Sequence, residues 1–315
     1  MIDRLKRKVS YINEMIESHH AAQLVALGEA YHDLQIKRIA RKICKRPSVR
    51  VVLLAGPSSS GKTSTSHKLC LELLAQGKQP VALSLDNWYL NGELIPLDAN
   101  GQRDDESIYA LDLKQLGEDL AALLAGKEIA LPTFNFPKEK REYLGDTLQL
   151  EPDTILVMEG IHALNPLLTP DIDPACKFKI YAAPMSPVSL DGKKWIPTQT
   201  HRLIRRMSRD FRTRGRSPQQ TIAGWPSVCA GEAKWITPFR KEADAKFDTS
   251  MLYEVPAFRY SIESALQTVP AASEEYETAQ KILFYLSFFE PLEPSLVPRT
   301  SILREFIGGS QFNVG

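Results

Sequence analysis

The chain is poor in cysteine. Cys44, Cys70, Cys176 and Cys229 are its only four, and no two form a C-x-x-C pair. That spacing excludes a zinc ribbon and argues against a disulfide scaffold, leaving reduced thiols in a cytosolic compartment as the simpler expectation. Long apolar runs are missing as well. Val51–Ala55, Leu120–Ala125 and Ile282–Leu286 are among the longest, and all are far too short to span a bilayer. The stretch Met1–Lys8 has no apolar segment of the kind a signal peptide needs. A soluble cytoplasmic protein with no membrane partner is therefore expected. Charge bias is absent too: 39 Lys and Arg face 38 Asp and Glu. No global field marks a nucleic-acid partner, so any basic function must come from a local cluster. Hydrophobic residues at 43% and charged residues at 24% argue against intrinsic disorder. The 315 residues suit one large α/β domain or two small ones.

What is present has a clear order. Over residues 1–46, Ile12, Met15, Ile16, Leu24, Leu27, Tyr31, Ile36, Ile39 and Ile43 recur at spacings of three and four, which predicts an N-terminal helical extension. From residue 47 to 315 the pattern changes to a second domain. Val51–Ala55, Val81–Leu85, Thr154–Met158 and Lys177–Ala182 read as strands, the first buried on both faces. Helices are expected from Lys62 to Gly77, over Leu111–Leu124 and over Glu274–Phe288, with a basic helix and loop at about 198–222. Strands alternating with helices predict a three-layer α/β fold around a parallel sheet.

One segment carries the chemistry. Gly56-Pro57-Ser58-Ser59-Ser60-Gly61-Lys62-Thr63 matches G-x-x-x-x-G-K-[ST], directly after an apolar strand and before a helix. Such a loop turns its backbone N–H groups onto phosphate oxygens at a helix N-terminus. Lys62 reaches the outer phosphates, the Thr63 hydroxyl can hold Mg²⁺, and Ser64 continues the loop into the helix. An ATP site in a P-loop NTPase fold is expected, with GTP as donor left open. A GTPase needs N-K-x-D, which is absent; Asp98–Gly101 fits D-x-x-G but follows no apolar strand and reads as a turn. A mechanical ATPase needs an apolar strand ending in Asp-Glu, whereas here the strand ends in Glu159-Gly160. A single metal-associated acid suits a small-molecule kinase. Asp86 ends the second strand, where the ligand crevice of an open α/β sheet lies, and is the candidate base. Seven arginines lie within 202–216, and Arg202, Arg205, Arg206 and Arg209 share one helical face. They suit a lid over the transferred phosphoryl group, or alternatively a solvated or RNA-binding patch.

These pieces together resemble the uridine kinase/phosphoribulokinase family of P-loop kinases, and its bacterial-type nucleoside kinase branch most closely. The resemblance rests on GPSSSGKT (56–63), SLDNWYL (84–90), DDESIYALD (104–112), LPTFNF (131–136), VMEGIHALNP (157–166), RLIRRMSRDFRTRGRS (202–217), WPSVCAGEAKWITPF (225–239) and SILREFIGGS (301–310). It implies Mg²⁺- and ATP-dependent phosphorylation of a nucleoside 5′-hydroxyl, uridine or cytidine. The family's base falls on Asp86, its pocket tyrosine on Tyr89 and its ribose-binding acid on Glu106. Its metal-associated acid falls on Glu159, its lid arginines on Arg206, Arg209, Arg214 and Arg216, and Phe134 replaces an aromatic that packs on the base. Arg141 and His162 are further candidates for the substrate pocket. The segment Phe134–Arg141 lacks the His that animal-type relatives use to read a pyrimidine. A purine nucleoside, a modified base or relaxed specificity therefore stays open. Separate alternatives are a kinase for another hydroxylated metabolite, such as a sugar phosphate or pantothenate, and a weakly catalytic nucleotide-binding regulator that contacts RNA through the 202–216 cluster. A homo-oligomer is compatible with the resemblance.

Overall fold

The computed structural model describes residues 7–98, 101–190 and 192–313. Most of the Met1–Lys8 stretch lies outside the described residues, as do Ala99 and Asn100 of the expected Asp98–Gly101 turn. In chain order the elements are α1 (Val9–Glu17), α2 (Ala21–Cys44), β1 (Val51–Ala55), α3 (Lys62–Ala75), β2 (Gln79–Ser84), α4 (Leu113–Leu124), β3 (Ile129–Asn135) and β4 (Lys140–Leu148). They continue as β5 (Thr154–Glu159), β6 (Lys177–Ala183), α5 (Thr198–Thr213), α6 (Pro218–Trp235), β7 (Ala245–Asp248), α7 (Glu254–Gln267), α8 (Tyr276–Ser287) and α9 (Arg304–Ile307).

Five strands form a sheet in the order β2-β5-β1-β6-β7, and every pair in it is parallel. β1 alternates across this sheet. Val52 and Leu54 pack with Ile36, Ile39 and Ile43 of α2 and with Leu69 and Leu73 of α3. Val51, Leu53 and Ala55 pack on the opposite face with Leu116, Leu120 and Leu123 of α4. Both faces are covered, which is why β1 reads as an unbroken apolar run and why the fold has three α/β layers. A third cluster joins Val9, Ile12, Leu24 and Val25 to Leu203, Ile204 and Met207 of α5 and to Phe258, Ile282 and Phe306. The N-terminal helices thus share a core with α5.

The expected elements are found with small shifts of boundary. The second strand begins at Gln79, and α4 begins at Leu113 because the Asp112 side chain accepts the Gln115 N–H and caps it. The N-terminal helical stretch is split at Ser18–His20, where His19 takes φ 60°. The antiparallel pair β3–β4, which stands apart from the main sheet, was not anticipated. Its tip carries Glu139 at φ 51°, a position where glycine would have signalled the turn. Helices α6 and α7 were also unanticipated: Pro226 sits inside α6 and Pro256 near the start of α7.

Candidate active site

Because all five sheet strands run in parallel, their C-terminal ends share one edge. β1 ends in the phosphate loop, β5 ends at Glu159 and β2 runs into the short turn that carries Asp86. Glu159 stands beside Leu54, in register with the last residues of β1. The sheet therefore brings the loop and both acids to one edge.

The loop has the backbone its sequence implies. Gly61 caps α3 at φ 82°, a left-handed conformation open to glycine. Ser59 holds φ 60° without being glycine, a strain of about 1 kcal/mol or more that clusters at functional loops. Lys62 is buried and its Nζ donates to the Pro57 carbonyl at 3.4 Å. The Thr63 hydroxyl donates to Glu159 Oε1 at 2.9 Å, and the Ser84 hydroxyl donates to the same oxygen at 3.1 Å. Burial pushes Glu159 up to about 7; Lys62 opposes the shift, and the Asp86 and Glu305 charges add to it. Burial likewise raises Asp86, while Lys62, Arg214 and Arg209 oppose that shift. The Lys62 charge thus acts on both carboxylates. Mg²⁺ is bound by one or two carboxylates together with substrate phosphates. The donor set fits this: the Thr63 hydroxyl and the Glu159 carboxylate already share a hydrogen bond beside the loop.

Helix α5 lies across the loop. Arg206 donates to the Ser58 hydroxyl at 2.7 Å. Arg206, Arg209 and Arg214 share one fully buried carboxylate, Asp210, at 3.4, 2.9 and 3.7 Å. Three guanidinium groups around one carboxylate leave an excess of positive charge, which suits a polyanion. Arg202 and Arg205 behave differently from the rest of their helical face. Arg202 donates to the Ser58 carbonyl at 3.0 Å, pairs with Glu232 at 2.5 Å and stacks on Trp225. Arg205 is fully buried and bound to Glu254 and to Thr249. These two brace the helix against the loop. Arg216 is exposed.

Tyr89, Phe134 and Phe136 form an aromatic wall. Tyr89 meets Phe134 at a ring distance of 5.6 Å, Phe134 meets Phe136 at 5.1 Å, and Arg214 lies 5.2 Å over Phe136. Burial raises Tyr89 well above the ordinary phenol range, and Asp86 and Glu106 add to the shift. Burial also raises Glu106, opposed by Arg206, Lys62 and Arg202. Asp86, Tyr89 and Glu106 therefore belong to one electrostatic neighbourhood with Lys62 of the loop, and Phe134 joins it through its ring contact with Tyr89. His162 is buried, and desolvation lowers it to about 4, so the ring is neutral. The Ser107 and Glu106 backbone pulls it partly back up, without either ring nitrogen reaching full hydrogen-bond geometry. Arg141 pairs with Asp112 at 3.0 Å at the start of α4. Two features escaped the sequence reading: Gly231, against which Glu106 packs, and Glu305, which reaches Ser64.

A parallel sheet with a Walker-type loop at its edge and acids at the neighbouring strand ends defines a P-loop protein of the nucleotide-dependent class. The sequence profile of the Phosphoribulokinase / Uridine kinase family matches residues 51–255. The chain belongs to that family, and a kinase role follows. Uridine kinase of Staphylococcus aureus (strain JH9) is 26% identical over 196 residues, covering 62% of this chain and 84% of the relative. Among solved structures, a possible uridine kinase from Bacillus stearothermophilus is 19% identical, covering 68% of this chain and 97% of that one at a TM-score of 0.45. A candidate fructose transport system kinase from Silicibacter sp. TM1040 is 16% identical, with 67% and 98% coverage and the same TM-score. No helix among the described residues is long and apolar enough to cross a membrane.

Proposed function

We propose that the protein is an ATP- and Mg²⁺-dependent nucleoside 5′-kinase acting on uridine or cytidine, with Asp86 as the base. The observation that carries this reading is that Asp86, in the turn at the end of β2, lies within the fields of Lys62, Arg214 and Arg209. The similarity to a uridine kinase lends it support.

In this reading Glu106 and the Tyr89–Phe134 wall hold the nucleoside, and Asp86 orients its 5′-hydroxyl and takes the proton. Lys62 and the loop N–H groups hold the donor phosphates, while Arg206, Arg209 and Arg214 stabilise charge on the transferring group. Thr63 and Glu159 would hold Mg²⁺, which neutralises phosphate charge. Arg202 and Arg205 keep α5 seated on the loop. Without a His in Phe134–Arg141, shape and stacking of the aromatic wall carry the base preference.

Asp86→Asn tests the assignment. Turnover of uridine or cytidine is expected to fall about 10²–10⁴-fold, the usual worth of a positioned base, with ATP binding kept. Unchanged turnover would remove Asp86 from the role.

A further inference from the structure

The first three N–H groups of α3, on Lys62, Thr63 and Ser64, have no acceptor within the helix, because Thr65 N–H is the first to reach back, to Gly61 at 3.1 Å. In a phosphate loop such donors are the ones that face the nucleotide. Here one of them is already taken. Glu305 Oε2 accepts the Ser64 N–H at 3.1 Å and the Ser64 hydroxyl at 3.0 Å. Both residues are buried, and they lie 241 positions apart. A carboxylate accepting two donors at the positive end of a helix is a chemical stand-in for a phosphate.

The backbone that presents Glu305 is fixed. Leu303 and Phe306 are fully buried on either side of it. Ile302 packs over Gly61, its Cδ1 3.3 Å from where a Cβ would stand. Arg212 donates to the Glu305 carbonyl at 3.3 Å, and the Ser208 hydroxyl donates to the Phe306 carbonyl at 3.2 Å. With the backbone held by these contacts, a change at this point falls to the Glu305 side chain, whose carboxylate accepts both of these hydrogen bonds from Ser64. Its charge also reaches the metal-associated acid, adding to the upward push on Glu159.

We propose that Glu305 is a placeholder anion of the donor site: its carboxylate holds the Ser64 donors in the free protein, and nucleotide binds by displacing it. Glu305 thereby sets nucleotide affinity. The idea rests on the donor-site reading of the loop given above.

The experiment is calorimetric titration of Mg-ATP and Mg-ADP into wild type, Glu305→Gln and Glu305→Ala. Glu305→Gln keeps the shape and an oxygen for Ser64, so it preserves the fold, with ligand-free melting as the check. Removing a unit charge next to the bound phosphates is expected to tighten both dissociation constants about tenfold. Adenosine, which brings no phosphate, is expected to gain nothing. Wild type that binds ATP while both folded variants bind it equally or more weakly would overturn the placeholder alone. Failure of all three proteins to bind ATP would overturn the donor-site reading, and the proposal with it.

Discussion

Replacing Gly231 by alanine probes how Glu106, the acid proposed to hold the nucleoside, is positioned. Gly231 lies in α6, and a Cβ there would fall 2.3 Å from Glu106 Cβ and 2.8 Å from its Cγ. Carbon atoms in contact rest about 3.5–4.0 Å apart, so one side must yield by ~1 Å. The Glu106 segment has little room to retreat. Ser107 and Ile108 are buried, and the buried His162 lies against the Glu106 and Ser107 backbone. Glu106 is therefore pushed toward the pocket. A misplacement of about 1 Å at a positioning group costs on the order of 10²-fold in rate. We expect Gly231→Ala to lose about 10²-fold in kcat/KM for the nucleoside, with the ATP dissociation constant nearly unchanged. Stability should change little: helix propensity favours alanine by about 1 kcal/mol, while overpacking costs about 1–3 kcal/mol. Steady-state kinetics with each substrate varied in turn, together with thermal melting, give the answer. Wild-type acceptor kinetics in a folded Gly231→Ala protein would refute the idea that α6 fixes Glu106.

Three further outcomes are expected. Lys62→Ala should weaken ATP binding and lower turnover about 10²-fold or more; wild-type kinetics in that variant would sink the donor-site assignment. Glu254→Ala leaves Arg205 buried without its carboxylate, and urea unfolding should show a loss of about 3–5 kcal/mol. Burial opposes but does not outweigh Arg205 and His201, which hold Glu254 down at about 2. Its contribution is therefore complete above the ordinary value of 4.5 and disappears as pH falls through about 2. Glu159 has the opposite sign: raised from 4.5 to about 7, its carboxyl favours the folded state below pH 4.5, and that contribution is lost as pH rises through 7. Since a metal needs the carboxylate, the Mg²⁺ concentration for half-activation should rise as pH drops below about 7. A flat dependence between pH 5.5 and 8 would count against Glu159 as a metal-associated acid.

The parts of this protein that were legible in its sequence are those whose signal is local. Gly56–Thr63 announces itself because glycine, lysine and threonine are needed at fixed offsets along a few residues of backbone. β1 was readable because burial on both faces leaves no polar residue in Val51–Ala55. The β3–β4 pair was not, since its turn is made by Glu139 rather than glycine and its strands alternate poorly. α6 was hidden by Gly224 and Pro226, which read as breakers although the helix runs through them. In the site, local spacing put Arg202, Arg205, Arg206 and Arg209 on one face but gave no means of telling them apart. What separates Arg205 from Arg206 is Glu254, 49 residues further on. Glu305 was beyond reach for the same reason, its partner Ser64 lying at the other end of the chain.

The central claim is that this strand edge transfers phosphate from ATP to a nucleoside hydroxyl. ADP release with Mg-ATP, measured against a panel of nucleosides, pentose phosphates and pantothenate, tests it most directly. The account predicts turnover with uridine or cytidine and little with the rest. A protein that binds ATP yet turns over none of the nucleosides would contradict it.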